Sequence, residues 1–148
     1  MQKFSAKQKL CRKKVWDQRV FDTDRDPAAL YKRYDELSHT LGEALLTPHR
    51  CYYPLLEPVL PLISAMAHIT GGGLVENVPR ILPQGLCARL ETKAWNVPPI
   101  FGIVQRQGKI DDDEMFRVFN MGLGMVVVCS PGDVPAMVTR LHRCQGRG

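Results

Sequence analysis

Ala65-Met66-Ala67-His68-Ile69-Thr70-Gly71-Gly72-Gly73-Leu74-Val75-Glu76-Asn77 is the stretch on which the reading of this chain turns. Ala65 to Thr70 is a short run of mostly small, apolar residues, and it stops at three glycines. The pattern is a buried strand entering a tight turn, because glycine interrupts a strand and takes the backbone angles a turn needs. Glu76 to Leu82 then has room for one helical turn. Such a turn lets backbone approach a ligand with no β-carbon in the way. Its successive N–H groups make an anion-binding nest, and a helix starting after it points its positive end the same way. Thr70 adds a hydroxyl donor. His68 can donate to a phosphate or carry a proton near neutral pH; equally, a single histidine beside an apolar strand can be structural. The segment lacks the Lys-Ser/Thr ending of a P-loop and the G-x-G-x-x-G of a dinucleotide fold.

Outward from this segment, helices and strands mix. Gln8 to Phe21 puts Cys11, Val15 and Trp16 on one helical face. Asp26-Pro27 and Thr47-Pro48 are helix starts of the cap-then-proline kind. Leu30, Tyr34 and Leu37 follow the first at helical spacing. After the second comes a stripe of Tyr52, Leu55, Leu56, Val59 and Leu60, with Pro54, Pro58 and Pro61 among it. Since an interior proline costs a helix about 3 kcal/mol, the helix is expected to kink or to restart at Pro54. Leu86 to Glu91 alternates as a strand does. Pro98-Pro99 opens a helix with Ile100, Ile103 and Val104 on one face and Gly108 as its C′ residue. Asp111 and Glu114 form a D-x-x-E capping-box analogue, with Ile110 and Met115 as a hydrophobic staple. Asp111, Asp112 and Asp113 read as a solvated helix start that complements the helix dipole, with a metal site as the lesser reading. Met121 to Cys129 is a valine-rich buried strand. Asp133 caps a last helix that carries Val134, Met137, Val138 and Leu141. The expected class is α+β, an α/β sandwich with a mixed sheet flanked by helices.

The chain has 148 residues, 45% of them hydrophobic, and a formal net charge of +5. That length suits one domain, which buries roughly 68–70% of its unfolded surface. No apolar run approaches the ~18 residues of a membrane span. The charge sits at the ends: Lys3, Lys7, Lys9, Arg12, Lys13 and Lys14 in the first 14 residues, and Arg140, Arg143 and Arg147 in the last nine. The body between them is mildly acidic, which argues against a nucleic-acid-tracking face; any such binding would sit on the tail. Cysteines number five, an odd count with no C-x-x-C pair. That excludes a disulfide framework and a zinc knuckle, and it points to a reducing cytoplasm.

Three motifs in order, A-H-I-T-G-G-G (67–73), E-N-V-P-R-I-L-P (76–83) and F-N-M-G-L-G-M (119–125), resemble the C-terminal domain of the phosphoribosylformylglycinamidine cyclo-ligase (aminoimidazole ribonucleotide synthetase) family. Gly42 to Arg50, Trp95 to Phe101 and Asp113 to Arg117 are similar to it as well, and the likeness runs from about Leu10 to about Arg143. The resemblance implies ATP activation of the formyl oxygen of formylglycinamidine ribonucleotide, followed by closure of an imidazole ring by an amidine nitrogen. ADP and phosphate then leave with magnesium assistance. It implies an active-site groove between an ATP-binding domain and this domain. His68, Thr70, Gly71, Gly72 and Gly73 would line that groove, with Asn77 and Arg80 close by and Asn120 and Gly122 opposite. Of these only His68 would be catalytic. Asn120 and Gly122 are equally explained as strand-start geometry. No metal ligand is assigned to this chain.

The sequence departs from the family pattern in ways that shape the expectation. Residues 1–9 are a basic tail where the family carries an S-G-x-H-x-N-G segment. Residues 10–148 are expected to form one substrate-side domain, without the ATP-binding domain and truncated before the family's closing strand region. The expected function is the substrate-side half of the cyclo-ligase, inactive alone, with the ATP-binding domain in cis or trans and with self-association through exposed apolar surface. The alternative is a non-catalytic phosphate- or partner-binding module that kept the fold.

Overall fold

A computed structural model describes residues 19–145. Residues 19–21 are helical; the rest of the helix expected from Gln8, and the basic tail, lie outside the described residues. Asp26 accepts from the Ala28 N–H at 3.1 Å and starts a 3-10 turn over Pro27–Tyr31. The turn ends at Lys32, whose backbone is extended, so Tyr34 and Leu37 fall outside any helix; both still pack on the core. Helix α1 (Leu41–Leu45) has a full capping box: Glu43 N–H donates to Thr40 Oγ1, and Thr40 N–H donates to Glu43 Oε2 at 2.8 Å. The Thr40 backbone hydrogen bond, then that of its hydroxyl, holds the Glu43 carboxyl below its usual range. The stabilisation is therefore present above the ordinary carboxylate value and lost as pH falls through the lowered one. Glu43→Gln is expected to flatten the acid side of the thermal stability profile, where the lowered Glu43 carboxyl takes up its proton. An unchanged profile would remove the carboxylate from the cap.

Helix α2 (Tyr53–Leu56) starts at Tyr53, with Pro54 in its first turn, and gives way to a 3-10 segment over Glu57–Leu62, which holds Pro58 and Pro61. Strand β1 (Ala65–His68) pairs antiparallel with β2 (Met125–Val128), from Ala65 opposite Val128 to His68 opposite Met125. The α+β class holds, and the sheet among the described residues is this two-stranded ladder rather than a mixed one. β2 is shorter than the apolar run. Met121 and Gly122 have φ of 50° and 91°, and Asn120 Oδ1 accepts from the Gly122 N–H at 3.1 Å, so residues 120–123 form a turn.

Helix α3 (Gly73–Asn77) starts earlier than the sequence suggested and passes into a 3-10 turn over Val78–Ile81. Leu86 to Glu91 is not a strand. Leu86, Cys87, Ala88 and Leu90 all line an apolar groove with Leu74 and Val78, while Arg89 and Glu91 pair at 2.8 Å. The backbone has no partner strand among the described residues, and alternation without a partner makes no ladder. Helix α4 (Pro99–Gly108) keeps Gly108 inside, and Lys109 takes the left-handed cap with φ 49°. A β-carbon on Gly108 would press on the side chains of Val20 and Ile110. Helix α5 (Asp112–Val118) is capped by Asp111, which accepts from the Glu114 N–H at 2.8 Å; Ile110 and Met115 are both buried. A 3-10 turn over Pro131–Asp133 leads into helix α6 (Val134–Gln145). Asp133 accepts from the Ser130 hydroxyl at 2.6 Å instead of capping, and Met137 is the side chain of this helix that is buried.

Two apolar clusters hold these elements. The larger joins Phe21, Leu41, Ile103, Val104, Met115 and Phe119; the smaller joins Ala67, Ile69, Leu74 and Val78. Phe116 packs on both and ties α5 to the ladder. Among the described residues no helix is long and apolar enough to cross a membrane.

Candidate functional site

Strand alternation sorts β1 into two faces. Ala67 and Ile69 point into the smaller cluster at 5% and 1% exposure, so Met66, His68 and Thr70 share the open face. The three glycines after Thr70 then do three different things. Gly71 is exposed, and a β-carbon there would meet nothing within 4 Å. Gly72 has φ 100° and precedes α3. Gly73 is buried against the end of α5, where a β-carbon would overlap the Phe116 carbonyl oxygen and come within 2.7 Å of that of Phe119.

Asn77 shapes this turn from below. It is 6% exposed, and its amide Nδ2 donates to the carbonyls of Gly73 at 2.7 Å, Gly71 at 3.3 Å and Thr70 at 3.4 Å. Its Oδ1 accepts from Arg80 Nη1 at 3.3 Å, and Arg80 also lies 3.7 Å from Glu76. Asn77 therefore faces backbone and orders the turn. The nest is smaller than the sequence suggests, because Gly73 N–H donates back to the Thr70 carbonyl at 3.1 Å. The Glu76 carboxylate beside Gly72 also brings a negative charge near it, balanced by Arg80.

The 120–123 turn runs alongside. At one end Gly124 O accepts from Ile69 N–H at 2.9 Å; at the other, Phe119 O lies against Gly73. Asn120 spends its side-chain oxygen on Gly122 N–H. Gly122 packs on Pro98 with no room for a β-carbon, and the Met121 carbonyl accepts from Trp95 Nε1 at 2.9 Å. The expected residues thus gather at one end of the ladder. Thr70, Gly71 and His68 are exposed there, Arg80 is exposed at the rim, and Asn77 and Gly73 build the frame.

His49 and Tyr52 are not expected at the site from the sequence, where Tyr52 belongs to an apolar helical stripe, yet they stand over the same face. His49 Nε2 lies 2.8 Å from His68 Nε2, and Tyr52 meets the His49 ring edge-on at 5.7 Å. A cavity of about 480 Å³ opens beside them, lined by His49, Tyr52, His68, Met66, Leu56 and Met125. The only signal was that His49 falls within the Gly42 to Arg50 stretch; a contact spanning 19 residues has no local pattern.

A family profile described as "AIR synthase related protein, C-terminal domain" matches residues 16–145. The chain belongs to this family. The phosphoribosylformylglycinamidine cyclo-ligase of Caldicellulosiruptor saccharolyticus is 48% identical over 129 residues, covering 84% of this chain and 37% of that protein. That of Desulfitobacterium hafniense is 50% identical over 116 residues, covering 75% of this chain and 33% of its own length. That of Bifidobacterium animalis subsp. lactis is 46% identical over 116 residues, covering 76% and 34%. The chain spans about a third of the length of the curated relatives it matches. The motifs that carried the resemblance, at 67–73, 76–83 and 119–125, all fall inside the matched family segment, and the structure brings them together at the ladder end.

Proposed function

We propose that this chain supplies the substrate-side half of a phosphoribosylformylglycinamidine cyclo-ligase site, for ATP-dependent closure of formylglycinamidine ribonucleotide to aminoimidazole ribonucleotide in purine biosynthesis. The observation that carries the reading is the exposed His68, Thr70 and Gly71 edge, held in shape by the buried Asn77 amide. Gly71 leaves room for a substrate phosphate or ribose to reach the backbone, with the Thr70 hydroxyl and the Arg80 guanidinium as further donors. Gly72, Gly73, Asn77, Asn120 and Gly122 act by fixing the path of the two turns. His68 is the expected proton carrier at this edge, with the His49 imidazole 2.8 Å from it.

In this reaction bound ATP with magnesium makes the formyl oxygen a leaving group. Among the described residues no group of three or more His, Cys, Asp or Glu side chains could hold a metal ion. By the family resemblance, nucleotide and metal are assigned to an ATP-binding domain, in cis or in trans, and the 148-residue chain is proposed to be inactive alone. A cytoplasmic setting goes with this role. The apolar groove along Leu74, Val78 and Leu86, with Val75 and Leu86 at 51% and 65% exposure, is the surface assigned to self-association.

Calorimetric titration with formylglycinamidine ribonucleotide tests the site. The chain is expected to bind, and Gly71→Asp, which fits the fold and sets a carboxylate where the phosphate would lie, is expected to weaken binding at least tenfold, about 1.4 kcal/mol. Equal affinity in both would move the phosphate elsewhere, and no heat with either would remove the reading. Sedimentation of the same samples reads self-association; a monomer at every concentration rules it out.

A further inference from the structure

The open face of the ladder holds a pairing that the proposed reaction does not itself call for. The two imidazoles of His49 and His68 meet nitrogen to nitrogen, with the Nε2 atoms 2.8 Å apart. A hydrogen bond there requires a single proton in the gap. When both rings are neutral, the donor ring carries its hydrogen on Nε2 and has a bare Nδ1; the acceptor ring has a bare Nε2 and carries its hydrogen on Nδ1. The two rings are therefore opposite tautomers. Their centroids are 4.8 Å apart with a tilt of 37°.

The surroundings favour a fixed arrangement rather than a passing contact. Tyr52 meets both rings edge-on, at 5.7 Å from His49 and 6.3 Å from His68. Gly124 supplies the space: a β-carbon there would overlap the Tyr52 hydroxyl and come 3.0 Å from His49 Cε1. Gly124 is in turn bonded through its carbonyl to Ile69 N–H, next to His68. The chain thus gives up a side chain on β2's approach to admit the His49–Tyr52 pair over His68.

We propose that His49 is a positioning residue for His68. It fixes the ring plane of His68 and its tautomer, and so decides whether Nδ1 of His68 is a bare nitrogen or an N–H. An imidazole without such a partner exchanges between its two neutral forms and offers a substrate both. The proposal rests on the reading of His68 as a site residue, while the hydrogen-bonded pair stands on geometry alone.

The test is proton–nitrogen NMR of the histidine rings in the full chain at about pH 8.5, above the usual imidazole range. In the native chain one of the two rings is expected as the Nε2–H form and the other as the Nδ1–H form. His49→Ala is expected to return His68 to an exchanging mixture. His49→Gln, whose amide reaches the same gap and can donate or accept, is expected to restore one form. Identical tautomers for the two native rings, or a His68 spectrum unmoved in His49→Ala, would overturn the proposal. Unchanged backbone amide signals of Ile69 and Leu74 check that each variant is folded, and His49→Gln carries the test if His49→Ala is not. In the calorimetric titration His49→Ala is expected to weaken ribonucleotide binding several-fold and His49→Gln to recover it. Absence of binding in the native chain would instead remove the functional reading, with the tautomer pair still decided by the spectra.

Discussion

Gly73→Ala is expected to lose at least about 3 kcal/mol of unfolding free energy, and Gly71→Ala less than about 0.5 kcal/mol. The contrast comes from two neighbours in one turn. At Gly73 the backbone has φ 53°, and an added β-carbon overlaps the Phe116 carbonyl, nears that of Phe119 at 2.7 Å and lies 3.0 Å from Arg117 C. Those are backbone atoms at the end of α5, so no side chain can swing away. Relief requires α3 and α5 to part, and that contact joins the two apolar clusters through Phe116. At Gly71 no atom lies within 4 Å and φ is not positive, so alanine fits. Urea unfolding followed by circular dichroism measures both. A Gly73→Ala variant within about 1 kcal/mol of the native chain would mean that α3 and α5 are not packed backbone to backbone.

The fate of these glycines shows where sequence reading stops. Three identical letters mark a turn, and that much is local. Which one is open, which needs left-handed backbone and which touches a distant helix depends on α5, more than 40 residues further on. The strand at Ala65–His68, the proline-opened α4 and the Asp111 cap were all legible, because their signals lie within one turn or one strand. Leu86 to Glu91 carried a sound local signal, but a ladder needs a second strand. The valines after Met125 masked the turn before them, whose mark was Asn120 two residues ahead of Gly122. At the site, His68, Thr70 and Gly71 were legible as the end of a strand and the start of a turn, but the apolar run reads as a buried strand, and the exposure of these three depends on what packs against the other face. Asn77 lies beside the turn and donates to its carbonyls, and an amide directed at carbonyls looks in sequence like one directed at a ligand. The His49 partnership depended on a contact 19 residues away and on a glycine in β2's approach.

Asn77→Asp should be nearly isosteric and yet cost about 3–4 kcal/mol at pH 7. Asn77 is the buried polar residue of the described core. Its amide donates to the Thr70, Gly71 and Gly73 carbonyls. Aspartate keeps the shape and removes every donor, so a carboxylate oxygen would face three carbonyl oxygens. The Arg80 guanidinium beside the other oxygen offsets part of this. Asn77→Ala loses the same bonds without the repulsion and is expected to cost about 2 kcal/mol. The two variants separate in their pH dependence. Burial and the facing carbonyls would raise the aspartate's folded value above the roughly 3.9 of an unfolded chain. A raised acid binds more protons when folded, so the penalty is full above the folded value and shrinks as pH falls through it. The protonated acid can also donate to the Gly73 carbonyl again. Urea midpoints at about pH 7 and pH 4 should therefore draw together for Asn77→Asp relative to the native chain and stay apart for Asn77→Ala. If Asn77→Asp were as stable as the native chain at pH 7, the amide oxygen rather than its nitrogen would face the turn. The frame proposed for Thr70, Gly71 and Gly73 would then have to come from backbone bonds alone.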